Sequence, residues 1–389
     1  MSSSLAVGLL ALVVAVQTGG ARACSPERSP GRTTTPAPTP TAPAPEIFTT
    51  LDGVRFTVDP VATNLEVPWS MAFAPDGRLF VTERPGRVRI LDLASRRSDL
   101  ALTLDDVFTQ SEAGLLGLAL DPDFASTRFV YLYYSARRQA GGAVNRVVRY
   151  REAGSTLGEP VVLLDNIPAA AIHDGGRLRF GPDGLLYITA GDAANAGLPQ
   201  DLGSLAGKIL RLNRDGTTPR ANSFGSPIYS YGHRNPQGLD WHPVNGGLWA
   251  TEHGNVGNDE LNAIDAGANY GWPRIEAAQT MPGMRTPIGI YNPTVAPSGM
   301  SFYRGDRFPR FANNLFIATL RGTVLLRVTL ETAPPRVAST EFLLENRFGR
   351  LRDVVTGPDG LLYLATNNRD GRGTPSSTDD RILRLSPAP

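Results

Sequence analysis

The chain has 389 residues, with Lys+Arg 38 against Asp+Glu 37 and a formal net charge of +1. That near-neutral balance, with no basic stretch interleaved with aromatics, speaks against a nucleic acid as partner. Helical periodicity is almost absent, and 41 glycines with 32 prolines fit a chain of short strands and turns.

The first element is the apolar run LAVGLLALVVAV (5–16), too short to span a bilayer but suited to the hydrophobic region of a signal peptide. Ala21-Arg22-Ala23 offers small residues at a cleavage point, so residues 1–23 are expected to be a signal peptide, although no Lys or Arg precedes the run. Cys24, the only cysteine, cannot form an internal disulfide. It could be a free thiol, an intermolecular partner or the acceptor of a lipid anchor. Its place directly after the cleavage point favours the anchor, while Ala21 and Arg22 depart from the usual lipoprotein pattern. The Pro/Thr-rich tract within residues 24–46 reads as an extended tether. The expected product is exported, periplasmic or at the cell surface, and held to a membrane through Cys24.

The folded region is expected over residues 47–389, and in it one phrase recurs six times: 73–83, 120–135, 180–192, 241–254, 308–322 and 356–371. Each copy has a bulky residue, a Pro-Asp-Gly-type turn and then a run rich in Leu, Tyr, Ile, Val and Thr, the signature of a hairpin. The fifth is degenerate, with Asn-Asn in place of Asp-Gly. The equivalent prolines stand 47 to 66 residues apart. A period of that size predicts an all-β, six-bladed β-propeller. The strand-like segments 54–59 and 381–386 flank the repeats, and their pairing in one sheet would close the ring.

Polar residues crowd the loops between repeats, which a propeller gathers at its two mouths. His173 precedes a Gly175-Gly176 turn that brings the backbone close to a neighbour; it reads equally as a loop cap or a catalytic base. Arg234 and Asn235 lie in a Pro- and Gly-shaped loop able to present a guanidinium to an anion, or to solvent. Arg350 and Arg352, two apart on a strand, share a face. They need either a carboxylate-rich ligand or a pair of structural aspartates. The segment 258–270, with Glu260 and Tyr270, is rich in oxygen donors. It suits Ca²⁺, or a polar turn closed by its own hydrogen bonds.

In combination, GHRNPQGL (232–239), the EHG…DELN…NYGWP stretch (252–273), His173 before its glycines and GRLRDVVTGPDG (349–360) resemble the soluble PQQ-dependent sugar dehydrogenases, in particular the aldose sugar dehydrogenase branch. The resemblance covers essentially the whole folded region. It implies a six-bladed propeller with pyrroloquinoline quinone (PQQ) over the central funnel and Ca²⁺ as a second cofactor. It places His173 as general base, and Arg234, Asn235, Arg321, Arg350 and Arg352 against the cofactor. Glu260 and Tyr270, the latter through its carbonyl, fall at calcium positions. Glu112 falls where cofactor-contacting members can carry Gln, so a carboxylate there faces an already anionic cofactor. The implied reaction is oxidation of an aldose sugar at C1 to the lactone, with hydride transfer to the quinone; the sequence does not identify the electron acceptor. Two other classes compete: a calcium-dependent propeller hydrolase of the lactonase kind, with its metal at the funnel centre, and a non-catalytic binding propeller.

Overall fold

The computed structural model describes residues 46–388. The expected signal peptide, Cys24 and nearly all of the tether lie outside the described residues.

Six antiparallel sheets make up the fold, with only one four-residue α-helix and a short 3₁₀ turn among the described residues. We number the blades in chain order. Their first strands are Pro68–Phe73, Leu115–Leu120, Leu178–Phe180, Pro236–Trp241, Pro297–Phe302 and Leu351–Thr356. Each of these neighbours the first strand of the next blade, and the sixth neighbours the first. They therefore line the centre of a closed ring, and the expected six-bladed propeller is the observed fold.

The recurring phrase is the hairpin between the first and second strands of each blade. Each turn needs one residue in the left-handed region just before the second strand. Gly77, Gly184, Gly246 and Gly360 fill it in four blades, Arg128 (φ 58) and Asn313 (φ 61) in the other two. The degenerate fifth copy thus keeps the turn, because Asn tolerates that conformation.

The sixth sheet closes the ring. Arg55–Ala62 pairs with Ile382–Pro387 in the register Val58↔Leu385, with a bulge between Pro60 and Ala62. Phe48–Thr49 pairs onto its outer edge, so this blade has five strands where the others have four. The sheets are held by apolar seams. Phe80 and Ile90 of blade 1 pack with Leu118, Val130 and Leu132 of blade 2, all at most 3% exposed. Burying each such side chain stabilises the fold by about 1.5–3 kcal/mol.

In the middle of the ring the seams give way to polar groups. Arg177 of blade 3 is 1% exposed and lies over the Trp69 ring of blade 1, 4.4 Å from its centroid. Its Nη1 pairs with Asp353 Oδ1 of blade 6 at 3.1 Å, and its Nε donates to the Gln237 carbonyl of blade 4 at 2.9 Å. A guanidinium thus ties four blades together at the centre.

Candidate active site

In each antiparallel hairpin the start of the first strand and the end of the second lie at the same edge, opposite the turn. Two sets of residues therefore meet at one mouth of the ring. Glu112, His173, Arg234, Asn235 and Arg350 precede or enter first strands; Arg84, Asp192, His253, Arg321 and Asp370 follow second strands. This mouth contains a cavity of about 650 Å³, a size suited to a small organic molecule. Glu112, Arg234, Arg321, Arg350 and Arg352 all line it, as does Gln237. A larger cavity of about 810 Å³ opens at the opposite mouth among the repeated turns, around Pro75 and Pro358, and contains none of the sequence-predicted site residues.

The cavity is strongly cationic. Six arginines line it (Arg84, Arg234, Arg321, Arg350, Arg352 and Arg372) against the carboxylates Glu112, Asp259 and Asp370, an excess of three positive charges. Arg350 Nη2 pairs with Asp370 at 2.8 Å and Arg372 Nη1 with Glu112 at 2.8 Å. The others have no carboxylate partner among the described residues. Arg352 is 3% exposed and, among the described residues, donates only to Gln237 Oε1 (2.8 Å) and Ser298 Oγ (3.2 Å), its buried Nε having no partner there. Burial pulls its guanidinium down to about 9, still protonated at neutral pH. The Nε atoms of Arg84 and Arg234 and the Nδ2 of Asn235 are likewise buried and unpartnered. The two sequence alternatives for Arg350 and Arg352 thus divide: Arg350 has its structural aspartate and Arg352 does not. Arg352 stands at a bulge, where Leu351 pairs with Thr366 and Asp353 with Ala365.

His173 adopts φ 64 at the end of its loop, and the turn behind it docks on the neighbouring strand through Gly176 N–H to the Thr189 carbonyl at 2.8 Å. Its Nδ1 lies 2.8 Å from Asp192 Oδ1, which also accepts the Ala194 N–H at 2.8 Å. Asp192 Oδ2 accepts Trp272 Nε1–H at 2.9 Å. A carboxylate so engaged makes Nδ1 the donor and leaves Nε2 with its lone pair. Nε2 makes no hydrogen bond within the described residues, and the side chain is 14% exposed. The Trp272 ring also supports Arg234, whose guanidinium carbon lies 5.4 Å from its centroid. Sequence reasoning did not single out Asp192 and Trp272, which hold His173 and Arg234. Both lay inside quoted segments, but only the fold brings them to His173.

Glu260 and Tyr270 stand apart from the main cavity. They line a small neighbouring pocket with Glu252 and Glu276, and this pocket shares Arg234, His253 and Gly254 with the larger one. Burial, and then the charge of Glu252, pushes the Glu260 carboxyl up to about 8. Among the described residues no cluster of three or more His, Cys, Asp or Glu side chains is arranged to hold a metal ion. Asp259, in the same oxygen-rich segment, is a structural clamp. Its Oδ2 accepts Thr294 Oγ1–H (2.6 Å) and the N–H groups of Val295 and Ala296 (2.7 Å each). Asp259 is thus engaged by the loop at 294–296 and not only within its own segment.

Residues 65–383 match the family described as Glucose / Sorbosone dehydrogenase. The chain is 33% identical over 355 residues to the aldose sugar dehydrogenase YliI of Escherichia coli, covering 85% of this chain and 92% of that protein. It is 27% identical over 422 residues to quinoprotein glucose dehydrogenase B of Acinetobacter calcoaceticus, covering 83% and 88%. The PQQ-bound aldose sugar dehydrogenase of Streptomyces coelicolor superposes with a TM-score of 0.77 at 38% identity, over 88% of this chain and 99% of that one.

Proposed function

Because the chain belongs to the glucose/sorbosone dehydrogenase family, a family of PQQ-dependent sugar dehydrogenases, we propose that it oxidises an aldose at C1 to the lactone with His173 as general base. One observation carries the reading: a cavity with buried, unpartnered guanidinium nitrogens is walled by Glu112, which accepts the His173 backbone N–H, and the His173 imidazole is tied back through Nδ1 with Nε2 free. PQQ has three carboxylates, matching the excess of three positive charges around the cavity. Arg234, Asn235, Arg321, Arg350 and Arg352 would hold it, with Glu112 at its edge. When bound, PQQ supplies the two-electron acceptor that the protein lacks.

The protein's own groups do the rest. His173 Nε2 takes the proton from the C1 hydroxyl. Asp192 fixes the ring and stabilises the imidazolium that forms, and Trp272 fixes Asp192 in turn. Arg234, braced on Trp272, directs positive charge to where negative charge develops. The same reading has Ca²⁺ beside Glu260 and the Tyr270 carbonyl, where a cation would hold the Glu260 carboxylate ionised. It also has an exported enzyme with Cys24 as lipid acceptor. Mass spectrometry of the native protein tests that part: an unmodified Cys24 rejects the anchor and leaves export standing.

The hydrolase reading asks for a metal at the centre of the ring, where the Arg177 guanidinium would repel it. The deciding experiment is reconstitution. Purified protein given PQQ and Ca²⁺ should reduce a redox dye on addition of an aldose; no reduction with PQQ bound overturns the assignment.

A further inference from the structure

Glu112 places a carboxylate on the wall of a cavity that otherwise suits an anion. Its Oε1 accepts Arg372 Nη1–H at 2.8 Å, and Arg372 Nη2 donates to Ser111 Oγ at 3.0 Å. Glu112 Oε2 accepts the His173 backbone N–H at 3.3 Å. Burial opposes ionisation of Glu112, but the charges of His253 and Arg372 and that N–H outweigh it and hold the carboxyl well below the usual range. Burial also lowers His253; Arg372 is the cation in direct contact with the Glu112 carboxylate.

The loop presenting Arg372 is built for the purpose. Asp370 Oδ1 accepts the Arg372 N–H at 2.8 Å, while its Oδ2 binds Arg350 Nε at 2.9 Å and Asn367 Nδ2 at 2.6 Å. One carboxylate thus fixes Arg350 inside the cavity and aims Arg372 across it. The Glu112–Arg372 pair joins loops of blades 2 and 6, the two blades flanking blade 1. Between them lies Arg84 of blade 1, whose stem rests against Gly114: a Cβ there would stand 2.5 Å from Arg84 Cγ.

Resting on the quinone-binding reading above, we propose that Arg372 sets the affinity of the site for its anionic cofactor by cancelling the Glu112 carboxylate across blade 1. The pair lets this chain carry an acid on the cavity wall without repelling a tricarboxylate. Removing Arg372 alone exposes that acid to the cofactor, and removing the acid alone releases Arg372 as one more cation.

The test is equilibrium titration of the metal-loaded full-length protein with PQQ, followed calorimetrically. Arg372→Ala should weaken binding by about tenfold, and Arg372→Lys by much less. Glu112→Gln should bind PQQ at least as tightly as the parent, and Glu112→Gln/Arg372→Ala should return to about the parental affinity. The Arg372→Ala deficit should shrink as salt is raised. Melting temperatures identify any variant that fails to fold. If Glu112→Gln weakens binding as Arg372→Ala does, the pair is only a structural brace and the proposal is overturned; unchanged affinity in Arg372→Ala overturns it equally. A parent protein that takes up no PQQ overturns the quinone reading itself.

Discussion

Asp192 holds His173 by its Nδ1 at 2.8 Å while its other oxygen is held by Trp272 at 2.9 Å. The imidazole is thus oriented by a carboxylate that is itself oriented, which fixes its tautomer.

His173→Gln should therefore lower turnover by about 10²–10⁴-fold, the usual size of a general-base contribution. Asp192→Asn should reproduce much of that loss, because the amide can present an N–H to Nδ1 and turn the imidazole to the wrong tautomer. PQQ uptake should stay near parental in both, as measured by titration before sugar is added. Parental turnover in loaded His173→Gln would remove the residue from the mechanism.

Arg352→Ala should do the reverse, weakening PQQ binding by about 10- to 100-fold, the value of one buried charge-assisted contact. The fully loaded enzyme should turn over with a much smaller change. Arg350→Ala should weaken binding further, because it also strands Asp370 on the cavity wall. Separate measurements of the PQQ dissociation constant and of kcat at saturating PQQ check the order.

Asp174, next to His173 in sequence, is 2% exposed, and its Oδ2 has no partner among the described residues. Burial raises its carboxyl to about 7, so the folded chain keeps a proton that the unfolded chain releases near 4. That contribution to stability is complete below about pH 4 and is lost progressively as pH rises to about 7, at most about 4 kcal/mol. Asp174→Asn cannot ionise and should flatten this part of the pH–stability profile. Urea unfolding of parent and variant between pH 4 and 7 gives the comparison; parallel profiles would dismiss Asp174 as the titrating group.

Excess chelator should lower the melting temperature if Ca²⁺ binds beside Glu260, since a ligand of the native state stabilises by mass action. Glu260→Gln should lose most of that response. A parental melting temperature unaffected by chelator argues against the calcium.

The architecture was legible because its signal is local. A Pro-Asp-Gly turn before a β-rich run can be read from a dozen residues, and Asn313 shows that even a degenerate copy preserves the backbone requirement. Arg234, Arg350, Arg352 and His173 could be singled out because they sit in distinctive loops, and Arg321 only through the family resemblance; Arg84 and Arg372, which also line the cavity, were not. Neither were the partners of these side chains. Glu112 and Arg372 are 260 positions apart, and Asp192 and Trp272 are 80 apart. Only ring closure makes such pairs neighbours. The bulge at Arg352 was equally hidden, because strand alternation predicts which face a residue shares but not where a register slips. In the oxygen-rich segment composition could not separate Asp259, consumed by three N–H and O–H donors of the next loop, from Glu260 beside it.

The sheet that closes the ring also ties the two ends of the folded region together. Blade 6 takes its third strand, Ile382–Pro387, from the end of the chain and its fourth, Arg55–Ala62, from near the start of the folded region. The entry to its first strand carries Arg350, the strand itself Arg352, and the loop after its second strand Arg372. A nascent chain ending before Ile382 can stack five blades and still have nothing to hold that wall of the cavity in place. That wall of the cavity therefore depends on a pairing between segments more than 300 positions apart, and chains truncated before Ile382 should take up no PQQ in the titration, whatever fraction of their other sheets has formed.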